Sequence, residues 1–344
     1  MKSFVLNKPH SFEVIEITSP EIKNSGDVLI KIKSVGVCGS DIHYYSDGKI
    51  GDQIVAYPFC IGHECAGIVE HVGDDVKNVI PGDRIAIDPL VPCGKCTQCL
   101  SGRFHTCLNQ KFLGCPGQLE GALAEYLILP SQCCYKIPDH ISYQQAVLAE
   151  PLSIALHALS FISDYEKSLA ILGTGPVGLS VLTAAKFKEI DKIFTTDVLD
   201  YRNKNAIENG AVYSGNPKKQ NIVKDILEIE NEGVDVVFDC CGKQEAIDQA
   251  IDILKPGGKL IIIGIPETNE IKFNPHLIRR KEIQIQNVRR QNEKVETALQ
   301  MLANPNFNID FMITHNFSFE QTAEAFDLVE NYSDGVIKAM INFE

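Results

Sequence analysis

The chain has 344 residues, 44% of them hydrophobic and 22% charged, and a formal net charge of −13. That length exceeds one small core and predicts two domains of ordinary size in a soluble globular protein. An acidic, dispersed charge with no basic run argues against nucleic acid or an anionic membrane surface as partner. No stretch approaches the roughly 20 apolar residues that span a bilayer. Asn7, Lys8 and Pro9 break the apolar start too early for a secretory leader. The expected location is therefore cytoplasmic. In a reducing compartment the twelve cysteines read as metal ligands where clustered and as small buried hydrophobes where scattered.

Residues 1 to about 149 are rich in Gly, Pro and short β-like runs. VLIKIKSVGV, AGIVEHVG and DRIAIDP predict strands punctuated by turns such as PGD, and few stretches there hold a helical period. After Glu150-Pro151 the pattern changes. SLAILGTG predicts a buried strand, PVGLSVLTAAKFKE a helix and KIFTTDV a second strand. The helix RNKNAIENG, the strand VDVVFDCCG, the helix KQEAIDQAIDIL and the strand GKLIIIGI follow. Such alternation predicts βαβ units and a parallel sheet, and the apolar continuity of LIIIGI fits a strand covered on both faces. From about 290 the chain reads helix (EKVETALQMLAN), strand (DFMITHNFSF), helix (EQTAEAFDLVEN) and strand (GVIKAMINF). This last segment permits, without demanding, a return to the first domain that leaves the α/β domain as an insertion.

Gly173, Gly175, Pro176, Val177 and Gly178 lie in GTGPVG, between a predicted strand and a predicted helix. Glycines at this spacing allow a tight turn, close approach of backbone to a pyrophosphate, and packing of helix on strand. The helix N-terminus adds unpaired N–H groups for the phosphates. The second strand ends at Asp197, nineteen residues beyond Gly178. A carboxylate there accepts both ribose hydroxyls and repels a 2′-phosphate, so the expected cofactor is NAD rather than NADP. Its bland reading is an N-cap for the next helix. Arg202 is a candidate contact for the ribose or adenine edge.

GVCGSDIHYY supplies Cys38, Ser40 and His43, and IGHECAGIVEHVG supplies His63 and Glu64. A thiolate, an imidazole and a carboxylate match the three protein ligands of a catalytic zinc, which leaves one position open for water or substrate. Cys93, Cys96, Cys99 and Cys107 crowd fifteen positions. Four thiolates close a tetrahedral site, so this cluster is expected to hold a structural zinc, for about two zincs per chain.

Gly62-His63-Glu64-x-x-Gly67 with Val72-Gly73, the four-cysteine lobe, Gly121 to Tyr126 and GTGPVG follow in an order that resembles the zinc-dependent medium-chain alcohol dehydrogenases. The resemblance runs from end to end and is nearest to the polyol branch, the sorbitol and xylitol dehydrogenases. It implies an α/β protein with a GroES-like β-rich catalytic domain (1–149 and 290–344) around a Rossmann cofactor domain (150–289). The structural-zinc lobe would span about 88–110. It also implies that Glu150, in a Glu-Pro pair, holds the zinc-bound water or serves as an alternate ligand; by itself Glu150 would cap a helix begun by Pro151. Tyr44 would line the substrate pocket, and Arg289 would contact substrate hydroxyls. A tyrosine follows that arginine in the polyol branch, whereas Arg290 stands here.

The expected activity is oxidation of a secondary alcohol on a polyol or sugar-derived substrate, a small hydroxylated molecule. Ser40 would take the hydroxyl proton and His43 pass it toward solvent. L-threonine, butanediol, sugar-acid and sugar-phosphate oxidation stand as alternatives, the last two favoured by paired arginines. A homodimer or homotetramer is expected.

Overall fold

The alternation in VLIKIKSVGV becomes the strand Asp27–Gly36, which buries Val28, Ile30 and Ile32 and leaves Lys31 and Lys33 half-exposed. It pairs antiparallel with Glu64–Val72, Tyr126–Pro130 and Lys338–Asn342. Arg84–Ile87 and Cys134–Lys136 extend this seven-stranded sheet on one side. Ile313–Ser318 extends it on the other, parallel to Lys338–Asn342. The C-terminal segment thus shares a sheet and a core with residues 27–36; Phe326, Ala339 and Ile341 are buried with Ile30 and Ile32. The computed structural model describes residues 1–344. The chain divides into two compact units, Met1–Glu150 with Val295–Glu344, and Pro151–Lys294.

The second unit carries a six-stranded parallel sheet. Its strands in spatial order are Tyr213–Gly215, Lys192–Thr196, Ser168–Leu172, Val234–Asp239, Leu254–Ile262 and Gln284–Asn287. Every residue of Ser168–Leu172 and Val234–Asp239 is buried, as central strands covered on both faces require. The order reverses between those two strands, and in doubly wound sheets ligands bind at the carboxyl ends beside such a reversal. Together with the β domain this is the α/β architecture the sequence predicts. No helix is long and apolar enough to cross a membrane.

The sequence reading passes over several short helices, among them Tyr143–Val147, Pro275–Lys281 and two whose ends explain them. Gly39–Asp47 has a polar and aromatic sequence with little apolar period and is fixed at its ends. Asp41 Oδ2 accepts the Cys38 N–H at 3.3 Å, and Gly48 closes the helix at φ +69°. Ile222–Ile229 is short, capped by the Asn221 side chain, and buries Ile222 and Ile226.

Candidate active site and cofactor loop

Cys38 lies just beyond the strand Asp27–Gly36 and at the start of the helix Gly39–Asp47; His63 and Glu64 enter the neighbouring strand, where Glu64 pairs with Gly36. This register brings one ligand atom from each of Cys38, His63 and Glu64 within 4.8 Å of the others. Asp41, fully buried, presents Oδ1 to His63 Nδ1 at 3.2 Å and to the Gly62 N–H at 3.3 Å. With Nδ1 so held, Nε2 is the nitrogen left for a metal. Burial works against charge on His63, but Asp41 and Cys38 outweigh it and raise the imidazole well above its usual range. A buried pocket this rich in anionic donors, with a histidine oriented by a carboxylate, suits a divalent cation, and the thiolate selects zinc over magnesium or calcium.

Ser40 Oγ donates to Cys38 Sγ at 3.3 Å, so it lies against the cluster. Glu150 is buried in the first turn of Ala149–Leu159. Burial pushes its carboxyl up to about 7; His63 and Lys338 pull it down, while Glu64 and Asp88 push it up. Tyr44 is buried and donates to Gln53 Oε1 at 3.1 Å, and its hydroxyl is 3.9 Å from Cys115 Sγ. Cys115 follows Gly114, where a side chain would strike the Gly62 oxygen. Half-buried His43 sits farther along the helix, with Nδ1 3.6 Å from Asp47. Arg289 is exposed in the second unit, beyond the end of Gln284–Asn287. Arg290 is half-buried at φ +53°. Strand alternation therefore does not apply to this pair.

Two residues at the cluster went unread in the sequence. Asp41 had a local signal, a carboxylate three residues after a cap-forming Cys38. Lys338 had none. It is 1% exposed and donates from Nζ to both Glu64 oxygens, at 2.9 and 2.6 Å, across 274 residues of chain. Burial alone would lower its ammonium, but Glu64 and Cys38 outweigh that and the net shift is upward.

The four-cysteine lobe is assembled locally. Cys96 Sγ lies 3.6 Å from Cys99 Sγ and 3.8 Å from Cys107 Sγ. These spacings are far too long for a disulfide. They match the roughly 3.8 Å edge of a tetrahedron with metal–sulfur bonds of about 2.3 Å. Backbone N–H groups aim at the sulfurs: Cys93 and Asn109 toward Cys107, and Leu108 toward Cys96. The N–H of Lys95 and the N–H of Cys99 hold the Cys93 and Cys96 thiols below their usual range.

In the second unit, Gly173 takes φ +94°, and a Cβ on Gly178 would sit 2.0 Å from the Gly173 oxygen. No other residue fits there without moving the loop. Gly175 caps the helix Pro176–Phe187 and Pro176 opens it; Val177 follows in the first turn. Asp197 is buried at the end of Lys192–Thr196, and its Oδ2 accepts the Thr174 N–H at 2.8 Å. Its Oδ1 accepts the Leu199 N–H at 2.9 Å, while the next helix begins only at Asp200. Asp197 therefore braces the glycine loop. Arg202 reaches to 3.7 Å from Asp197 and lies over Gly175.

The comparisons with known proteins agree with this layout. Residues 24–139 match the alcohol dehydrogenase GroES-like domain family, and residues 176–304 match the zinc-binding dehydrogenase family. The chain is 36% identical to the sorbitol dehydrogenase of Bacillus subtilis over 343 residues, covering 99% of this chain and 97% of that one. It is 34% identical to the L-idonate 5-dehydrogenase of Vitis vinifera, covering 92% and 88%. An oxidoreductase of unknown specificity from Escherichia coli superposes with a TM-score of 0.93 at 31% identity, covering 100% and 99%. A zinc-binding dehydrogenase of Sinorhizobium meliloti bound to NADP gives 0.89 at 27%, covering 99% and 98%. An Escherichia coli alcohol dehydrogenase complexed with NADH gives 0.89 at 28%, covering 100% and 99%.

The fold, the Cys-His-Glu set and the four-cysteine lobe define a zinc-containing dehydrogenase. This chain belongs to the zinc-dependent medium-chain alcohol dehydrogenase family. It is an NAD(P)-linked zinc alcohol/polyol dehydrogenase.

Proposed function

We propose that the enzyme oxidises a secondary alcohol of a polyol or sugar-derived substrate to the ketone with NAD. The observation that carries this reading is the set of half-buried Cys38 with buried His63 and Glu64, under whose charges Glu150 lies, in a chain 36% identical to a sorbitol dehydrogenase. Cys38, His63 and Glu64 would hold the catalytic zinc; Cys93, Cys96, Cys99 and Cys107 would hold the structural one. When bound, zinc would supply Lewis-acid polarisation of the alcohol oxygen and NAD a hydride acceptor. Asp41 keeps His63 oriented. Ser40 Oγ, which donates to the Cys38 sulfur, would accept the substrate hydroxyl proton as it releases its own, and His43 would pass that proton onward, through the nicotinamide ribose, to solvent. Tyr44 and Arg289 hold substrate hydroxyls, and Glu150 holds a water or serves as an alternate ligand. A sugar acid or sugar phosphate is the second reading, favoured by the adjacent Arg289 and Arg290. A panel of polyols, aldonates, sugar phosphates, L-threonine and 2,3-butanediol, read as NAD reduction, tests both. Turnover of none of the polyols or sugar derivatives would sink the proposal.

Asp197 supports NAD over NADP, since a buried carboxylate beside the glycine loop disfavours a second anion. Asp197→Ala is expected to relax the NAD/NADP ratio of kcat/KM by about 10-fold, the effect of a like-charge repulsion of about 1.4 kcal/mol. An unchanged ratio would remove Asp197 from that role. The strand Gln284–Asn287 ends its sheet with one edge unpaired and Ile285 exposed, which supports a homodimer or homotetramer joined through such an edge.

A further inference from the structure

Among the three donors at the cluster, Glu64 alone is hydrogen-bonded by an ammonium, although Cys38 also lies in the field of Lys338. Lys338 Nζ bonds both of its oxygens and also donates to the Val37 oxygen at 3.1 Å. The carboxylate is boxed in as well, because a Cβ on Gly36 would fall 2.6 Å from Glu64 Oε2. Lys338 and Gly36 reach it from adjacent strands, through the pairing of Met340 with Gly36 and of Gly36 with Glu64. The Cys38 sulfur meets the Ser40 hydroxyl, the Asp41 backbone N–H and His63 but accepts no bond from the Lys338 ammonium, and His63 meets Asp41 through its Nδ1. The three donors are therefore not equivalent.

We propose that Lys338 is a positioning residue that divides Glu64 between itself and the metal. Glu64 is thereby kept a weak, exchangeable ligand, while Cys38 and His63 stay fixed. The inference rests on the catalytic-zinc reading above. An ammonium bonded to both oxygens draws electron density from the lone pairs a zinc ion would use. Each oxygen keeps a second lone pair, so ligation remains open but weakened. Glu64 can then yield its place to a water or alcohol oxygen without the metal leaving. If Lys338 is neutralised, the buried carboxylate is left with the metal as its nearest cation and must grip it harder. An ion pair that served only the fold predicts the opposite sign. Its loss would loosen the strand and the Val37-Cys38 turn, and zinc would leave faster.

The test is chelator-driven zinc release from the fully loaded protein, followed with a metallochromic dye. The four-cysteine site is an internal control, because Lys338 touches none of its residues. In Lys338→Met the release phase of the Cys38 site is expected to slow by about 10-fold, within the range known for groups that support metal ligands. The structural phase should be unchanged, and Lys338→Arg should behave as wild type. An unchanged or faster phase in Lys338→Met overturns the inference. Should Lys338→Met fail to fold, Glu64→Gln serves instead. A weak ligand predicts release within about 3-fold of wild type, whereas loss as rapid as in Cys38→Ser overturns the proposal. Wild-type protein that releases only the structural zinc would overturn the catalytic-site reading itself, a distinguishable failure.

Discussion

Cys38→Ser is expected to lower kcat by at least about 10³-fold while the protein stays folded, since a thiolate ligand and the charge it contributes are lost together. The fold should survive for a local reason. Cys38 is the N-cap of the helix Gly39–Asp47, and serine is among the best residues for that position. Asp41 also stays in place, because its carboxylate accepts the residue 38 N–H and a serine hydroxyl can replace the Cys38 sulfur in meeting the Asp41 N–H. Metal content should fall from about two zincs per chain to about one, with the thermal transition little changed. Residual turnover within 10-fold of wild type would remove Cys38 from the catalytic set.

Cys96→Ser should act in the reverse sense, costing stability before chemistry. The lobe has a small apolar core, Leu90, Phe112 and Cys115 with Phe104 against them. Leu100 and Leu108 are 77% and 69% exposed. A segment with so little buried surface depends on its metal for order, because in such sites binding energy is folding energy. Losing one of four thiolates is expected to lower Tm by at least about 3 °C, equivalent to about 2 kcal/mol in a chain of this size. Turnover per folded molecule should fall far less than in Cys38→Ser. An unchanged Tm in calorimetry would contradict a structural role for the site.

The two variants separate features of very different visibility. The cysteine lobe is conspicuous in the sequence because its ligands and backbone donors lie within a few turns of one another. The Rossmann sheet is legible for a similar reason. Strands buried on both faces must be apolar throughout, and helices covering them must repeat at their own period, so SLAIL, VDVVFD and KLIII each announce themselves. The helix Gly39–Asp47 is not legible in this way, because capping rather than periodicity makes it.

The sequence by itself therefore determined the α/β class, and it marked the glycine loop, the four-cysteine set and the Cys-His-Glu set as candidates, since each rests on residue type within a local motif. Only the tertiary structure decided how the donors are held. Asp41 meets His63 from 22 residues away, and Lys338 meets Glu64 from 274 residues away. Glu150 comes under the charges of His63 and Glu64. Such pairs leave no periodic trace, because they depend on which strands lie side by side. The return of Lys338–Asn342 to the edge of Asp27–Gly36 places a buried ammonium on a metal-site carboxylate, and strand register is a property of the folded sheet.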